Sequence, residues 1–130
     1  MRHLLDTHAL LWYVLNDPQL STTATRTILD PANDILVSPV SFWEIAIKVS
    51  IGKYTLTATH EQFVEECLQQ YRLSLLPVAP AHTSRVAVLP YFRHHKDPFD
   101  RMLVAQVLTE GIPLVSADDK LDAYGITRVW

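Results

Sequence analysis

Short apolar runs alternate along the chain with longer segments that have helical periodicity. The strand-length runs are HLLD, DILVS, LSLLPV, IPLVSADD and ITRVW, and they are apolar throughout rather than at every second residue. Between them lie segments with the lengths of helices, including THALLWYVLN, STTATRTILD, SFWEIAIKVSIG, HEQFVEECLQQYR and PAHTSRVAVL. Ser21 and Thr59 are the predicted caps of the second and fourth of these helices. This alternation predicts an α/β fold in which helices cover both faces of a mainly parallel sheet.

Two aspartates stand where predicted strands end. Asp6 closes the first apolar run, and Asp118 comes just after the run PLVS. Ligands of open parallel sheets bind beyond the carboxyl ends of the strands. We therefore expect both carboxylates at the same edge of the sheet, although they are far apart in sequence.

The segment KDPFDRMLVAQ predicts the start of another helix. Asp97 is a favoured N-cap residue, and Pro98 suits the first helical position because its missing N–H is not needed there. At 100° per residue, Asp100 falls on the same side as Leu103 and Val107, which should face the core. A carboxylate there needs hydrogen bonds, a cation or a metal. We expect Asp97 to cap the helix and Asp100 to be a ligand.

The segment SFWEIAIKVSIG contains one acid on an otherwise apolar helix. Ser41 and Glu44 have the spacing of a capping box, and Glu44 and Lys48 are a favourable pair four residues apart. Periodicity leaves open whether this polar stripe faces solvent or a polar cleft.

Four acids are therefore candidates for one site, and they are Asp6, Glu44, Asp100 and Asp118, with Asp97 in reserve. Taken singly, each also fits the role of a helix-capping residue. Together they would repel one another, and a hard cation such as Mg²⁺ or Mn²⁺ relieves that repulsion. Such an ion activates water and stabilises a phosphodiester under attack.

Composition narrows the class of protein. The chain has 130 residues, 48% hydrophobic and 19% charged, which fits a single domain over residues 1–130. The net charge of −3 excludes binding of nucleic acid by bulk positive charge. The single cysteine, Cys67, rules out an internal disulfide and suits a cytoplasmic protein, and no apolar run predicts a membrane span or a signal peptide.

Other chemistries have less support. None of the six histidines has zinc-site spacing, the adjacent pair His94-His95 is a weak signal, and no glycine-rich phosphate loop is present. The basic, aromatic segment YFRHHK either contacts RNA or is a solvated loop, and the sequence favours neither.

Four motifs, in order and spacing, resemble those of PIN-domain ribonucleases, specifically the VapC-type toxins of prokaryotic type II toxin–antitoxin pairs. The motifs are LLDTHALLW, VSFWEIAIK, HKDPFDRMLVAQ and LVSADDKLDAYG. The resemblance runs from Met1 to Trp130. It implies a PIN-like three-layer fold and a metal-dependent endoribonuclease that hydrolyses RNA.

The resemblance also assigns roles to residues. It implies that Asp6, Glu44, Asp100 and Asp118 are catalytic residues that hold Mg²⁺ or Mn²⁺, and that Ser116 lies near the last acid as a small hydroxyl residue. Asp97 belongs to the DPFD form of the third motif. The implied partners are an RNA substrate, a small antitoxin and a second copy of the chain. The alternative is an inactive PIN-like module that binds RNA or antitoxin without cutting. A metal-dependent phosphatase is disfavoured because Thr7 and His8, not an x-Asp pair, follow Asp6.

Overall fold

Five short strands form one parallel sheet in the computed structural model, which describes residues 1–130. The strands are β1 (Arg2–Leu5), β2 (Asp34–Val37), β3 (Ser74–Leu75), β4 (Leu114–Val115) and β5 (Arg128–Val129). Their order across the sheet is β3-β2-β1-β4-β5, and every neighbouring pair is parallel. Strand β1 lies at the centre, where Leu4 is in register with Leu36 on one side and Leu114 on the other.

Seven helices connect and cover these strands. They are α1 (Thr7–Val14), α2 (Thr22–Leu29), α3 (Pro39–Ser50), α4 (His60–Gln69), α5 (Pro80–Ala87), α6 (Pro98–Glu110) and a 3₁₀ helix (Asp119–Tyr124). Ser21 and Thr59 cap α2 and α4 through their side chains, as their sequence positions predict. None of the helices combines the length and the hydropathy needed to cross a bilayer.

The two faces of the sheet carry separate hydrophobic clusters. Leu5, Val37 and Val115 point to one face, where they pack with residues of α1 to α4. Leu4, Leu36 and Leu114 point to the other face, toward α5, α6 and the 3₁₀ helix. Because side chains alternate along a strand, both faces are buried, which explains why the strand sequences are apolar throughout. The predicted three-layer α/β fold is confirmed.

Helix α3 begins earlier in the chain than the sequence predicts. Ser38 is its N-cap, with its hydroxyl accepting from the backbone N–H of Val40 at 3.1 Å, and Pro39 occupies the first helical position. The capping box predicted for Ser41 and Glu44 is therefore wrong. Ser41 lies inside the helix, fully buried, and its hydroxyl accepts a hydrogen bond from Thr7 at 3.0 Å. The predicted pair of Glu44 and Lys48 is present, at 2.7 Å.

Candidate metal centre

The two central strands end side by side and deliver Asp6 and Asp118 to one edge of the sheet. The backbone N–H of Asp6 donates to the carbonyl of Val115, the last residue of β4, at 3.1 Å. The chain order reverses at this point, because β2 and β3 lie on one side of β1 while β4 and β5 lie on the other. Such a switch point leaves a crevice at the carboxyl ends of the strands, where ligands of open α/β sheets bind.

Asp6 is buried at the start of α1. Its side chain is only 6% exposed, and Oδ1 accepts from the backbone N–H of Ala9 at 2.8 Å, so it caps the helix. Burial raises the pKa of Asp6 and the nearby charge of Asp118 adds to the rise, while hydrogen bonds from Ser116 and Ala9 and the charge of His8 oppose it. The residue is thus a helix cap that also faces a second acid.

Ser116 and Asp118 form the turn after β4. Ser116 is fully buried, and its hydroxyl accepts from the backbone N–H of Asp118 at 3.1 Å. Asp118 Oδ1 accepts from the backbone N–H of Lys120 at 3.1 Å and begins the 3₁₀ helix. Ser116 therefore lies beside both acids, because its hydroxyl also lowers the pKa of Asp6.

The two aspartates at the start of α6 have different environments, as the sequence predicts. Asp97 is exposed, and its Oδ1 accepts from the backbone N–H groups of Phe99 and Asp100 at 2.8 and 3.1 Å. Asp100 is partly buried at the third helical position. Burial raises the pKa of Asp100 to about 7, and the charges of four further acids contribute to this: Asp97, Asp6, Glu44 and Asp118. The carboxyl of Asp100 therefore lies within electrostatic range of all four.

Glu44 reaches this centre from α3 and is almost completely buried. Lys48 Nζ donates to Oε2 at 2.7 Å, but the buried Oε1 has no hydrogen-bond partner. The polar stripe of α3, formed by Glu44 and Lys48, therefore faces the cleft and not open solvent. An unpartnered buried carboxylate oxygen is costly unless a cation or a donor meets it.

The donor set fits a hard divalent cation. Asp6 and Asp118 each accept a helix-capping hydrogen bond through Oδ1, so Oδ2 of each carboxylate is not used in capping. Glu44 offers Oε1, and the raised pKa of Asp100 shows that the negative charges are only partly compensated. Carboxylate oxygens in this number are the ligands that Mg²⁺, Mn²⁺ and Ca²⁺ take in proteins.

The sequence interpretation missed one residue of this centre, His95. Its ring is 94% buried, and Nε2 lies 3.3 Å from Asp100 Oδ2 without forming a hydrogen bond. One ligand atom each from His95, Asp100 and Asp118 lies within 4.8 Å of the others. The sequence signal is weak, because a histidine five residues before an aspartate shares no helical face with it and only the intervening loop brings them together.

The rest of the segment YFRHHK stays at the surface. Tyr91, Arg93, His94 and Lys96 are exposed, while a bridge between Phe92 and His95 turns the loop inward. The solvated-loop interpretation is wrong for His95 and correct for its neighbours. Whether the exposed residues contact RNA stays a prediction.

Comparison with known proteins supports the same fold. The PIN domain family model matches residues 3–126. Ribonuclease VapC22 of Mycobacterium tuberculosis (strain ATCC 25618 / H37Rv) is 25% identical over 130 residues, covering 98% of this chain and 97% of that protein. Among solved structures, VapBC2 from Rickettsia felis, bound to a promoter DNA fragment, is similar with a TM-score of 0.72 and 15% identity, covering 98% and 97% of the two chains. FitAcB from Neisseria gonorrhoeae is similar with a TM-score of 0.67 and 17% identity, covering 97% and 95%.

Proposed function

Because this chain belongs to the PIN domain family, we propose that it is a metal-dependent endoribonuclease of the VapC type, the toxin of a toxin–antitoxin pair. The observation that carries this proposal is that the charges of Asp6, Glu44 and Asp118 all act on the partly buried carboxyl of Asp100, and that ligand atoms of Asp100 and Asp118 lie within 4.8 Å of each other. The four acids come from four separate parts of the fold: the end of β1, α3, the start of α6 and the turn after β4. Helix capping explains the individual positions of Asp6 and Asp118, but it does not explain why four acids lie near one edge of the sheet.

In this proposal the four carboxylates hold Mg²⁺ or Mn²⁺. When bound, such an ion supplies Lewis-acid chemistry: it lowers the pKa of water and stabilises charge on a phosphodiester under attack. Asp6 and Asp118 are fixed by their helix-capping hydrogen bonds, and Lys48 fixes Glu44 through Oε2. The acids are therefore held in place before any ion binds, so little ordering remains to be done on binding.

Ser116 acts as a positioning residue in this proposal. Its hydroxyl group accepts from the backbone N–H of Asp118 and lowers the pKa of the Asp6 carboxyl. Since it is fully buried, it cannot exchange these contacts for bulk water. It keeps the two central acids at a fixed separation on adjacent strand ends.

A cleavage assay separates this proposal from the alternative, an inactive module that only binds RNA or antitoxin. Structured RNA is incubated with the protein in Mg²⁺, in Mn²⁺ and in EDTA. We expect cleavage with either ion and none in EDTA, and we expect Asp6→Asn to abolish it. Asp119→Asn is the matched control, because Asp119 is an exposed acid beside Asp118 and outside the cluster. Undiminished cleavage in EDTA or by Asp6→Asn would overturn the metal mechanism, whereas RNA binding without cleavage would support the inactive module.

The proposed partners follow from the relatives. VapBC2, FitAcB and VapBC-1 from nontypeable Haemophilus influenzae all have this fold, the last with a TM-score of 0.66, 17% identity and coverage of 98% and 96%. We infer an antitoxin partner for this chain on that basis, and a homodimer from the resemblance to VapC-type toxins. An apolar groove of about 510 Å³ beside the start of α6, lined in part by Trp43, Phe99 and Met102, supplies surface for such contacts.

A further inference from the structure

His95 is held in the site by a network on the side of the ring away from the acids. Its Nδ1 lies 2.9 Å from the hydroxyl of Tyr124. The same hydroxyl is 3.2 Å from Arg101 Nη1 and 3.4 Å from the carbonyl oxygen of His95. The Arg101 guanidinium is itself anchored, because Nη1 also donates to the carbonyl of Pro90 at 2.8 Å.

One position of the ring proton allows all three contacts to be hydrogen bonds. The guanidinium of Arg101 only donates, and a carbonyl oxygen only accepts. All three contacts are hydrogen bonds only when the Tyr124 hydroxyl donates to the carbonyl and Nδ1–H donates to the hydroxyl. Nε2 then keeps its lone pair. This nitrogen lies on the side of the acids, 3.3 Å from Asp100 Oδ2, and has no hydrogen-bond partner.

A buried lone pair beside a carboxylate oxygen needs either a proton or a metal cation between them. Metal-binding histidines show the same arrangement, with one nitrogen on the ion and the other N–H donating to a fixed partner. Here Tyr124 is that partner, and Asp100 and Asp118 supply ligand oxygens within 4.8 Å. Imidazole nitrogen binds first-row transition ions well, whereas Mg²⁺ prefers oxygen alone.

We propose that His95 Nε2 is a nitrogen ligand of the metal centre, beside Asp100 and Asp118, and that it gives the centre a preference for Mn²⁺ or Co²⁺ over Mg²⁺. This inference rests on the proposed metal-dependent function, and it adds a ligand that the four-acid motif does not contain. His95 is distinguished from His8, which is exposed on α1 and acts on Asp6 through its charge.

Pulsed electron paramagnetic resonance on the full chain loaded with Mn²⁺, without RNA, tests the ligand directly. We expect modulation from a directly bound ¹⁴N nucleus in the wild type and in His8→Gln, and its loss in His95→Gln. Titration calorimetry should show that His95→Gln weakens Mn²⁺ binding by roughly 10–100-fold, the usual effect of disturbing a metal site, with Mg²⁺ binding nearly unchanged. Modulation that survives His95→Gln, or equal losses for the two ions, would overturn the proposal.

A labelled sample covers the case in which His95→Gln does not fold. His8→Gln protein containing ¹⁵N-histidine should then show ¹⁵N in place of ¹⁴N coupling, and an unchanged spectrum would overturn the proposal. The two levels of inference also fail differently. Bound Mn²⁺ and RNA cleavage without nitrogen coupling would reject His95 as a ligand and leave the nuclease standing. Absence of any Mn²⁺ binding would reject both.

Discussion

Capping a helix and binding a metal are compatible duties for one aspartate, because a carboxylate has two oxygens. Asp6 and Asp118 each give Oδ1 to a backbone N–H at the start of a helix and remain in the acid cluster. Asp97 gives Oδ1 to two backbone N–H groups and stays exposed. Local sequence cannot separate these cases, since what differs is whether other acids face the second oxygen.

Substitutions of the two aspartates at the start of α6 should have different effects on stability and on cleavage. Asp97→Ala loses the cap, and we expect it to cost about 0.5–2 kcal/mol of stability while cleavage remains measurable. Asp100→Ala removes a ligand and also relieves repulsion among the acids, so cleavage should vanish with stability unchanged or improved. Urea denaturation and the RNA assay measure both variants. An inactive but fully stable Asp97→Ala, together with an active Asp100→Ala, would reverse the assignment.

The raised pKa of Asp100 predicts how the metal-free fold responds to pH. Between the ordinary value of 3.8 and about 7, the folded protein holds a proton that the unfolded chain releases. This contribution to stability is complete below the lower value and is lost as the pH rises through about 7. In EDTA, the stability of Asp100→Asn relative to the wild type should therefore increase as the pH rises from about 5 to about 8.

Urea denaturation at both pH values measures that difference. Asp30→Asn is the control, because Asp30 is an exposed acid at the end of α2, away from the cluster. We expect its difference from the wild type to change little with pH. If the difference in unfolding free energy between Asp100→Asn and the wild type does not change with pH, the surroundings of Asp100 do not raise its pKa.

The sequence indicated acids at this edge of the sheet but not His95. Strand ends and helix phase predicted Asp6, Asp118 and Asp100 toward one edge, and in the structure ligand atoms of Asp100 and Asp118 lie within 4.8 Å of each other while the charge of Asp6 acts on Asp100. His95 depends on a loop that folds back through the bridge to Phe92 and on the distant hydroxyl of Tyr124. No periodicity describes such a loop, so only tertiary structure reveals it.

At the scale of the elements, helix caps were more predictable than strand lengths. Ser21, Thr59 and Asp97 cap the helices that the sequence assigns to them, because capping depends on a few adjacent residues. The apolar runs LSLLPV and IPLVSADD contribute strands of only two residues each. Strand length depends on how far the neighbouring strand extends, which a single run does not encode.

The corrected start of α3 yields a prediction about Ser38. Its hydroxyl caps the helix and is fully buried, so Ser38→Ala should cost about 0.5–2 kcal/mol of unfolding free energy. Ser50→Ala is the matched control at the exposed last turn, where a change within about 0.5 kcal/mol is expected. Chemical denaturation of both variants measures this. Equal effects for the two serines would contradict Ser38 as the cap.

At the scale of the whole molecule, α3 leaves an apolar stripe uncovered. Trp43, Ile47 and Ile51 are 61%, 36% and 68% exposed, and their spacing of four places them on one side of the helix. Ile45 on the same helix is fully buried. Exposed apolar stripes of this kind mark surfaces that contact other proteins.

We therefore expect a homodimer at micromolar concentration, and Trp43→Ser should shift it toward the 14.8 kDa monomer. Light scattering coupled to size-exclusion chromatography measures the mass. Leu29→Ser is the control, because Leu29 is also 61% exposed but lies on α2 away from the stripe. A wild type that is monomeric, alone and with its antitoxin, would contradict the expected assembly.

The central claim is that acids from four parts of the fold form one metal centre, and anomalous diffraction from crystals grown with Mn²⁺ tests it most directly. The account predicts a strong anomalous peak at the carboxyl end of β1 and β4, within bonding distance of carboxylate oxygens of Asp6, Asp100 and Asp118 or Glu44. The peak should disappear in crystals of Asp100→Ala. No peak in this crevice at saturating Mn²⁺, or a peak bound by other residues alone, would contradict the account.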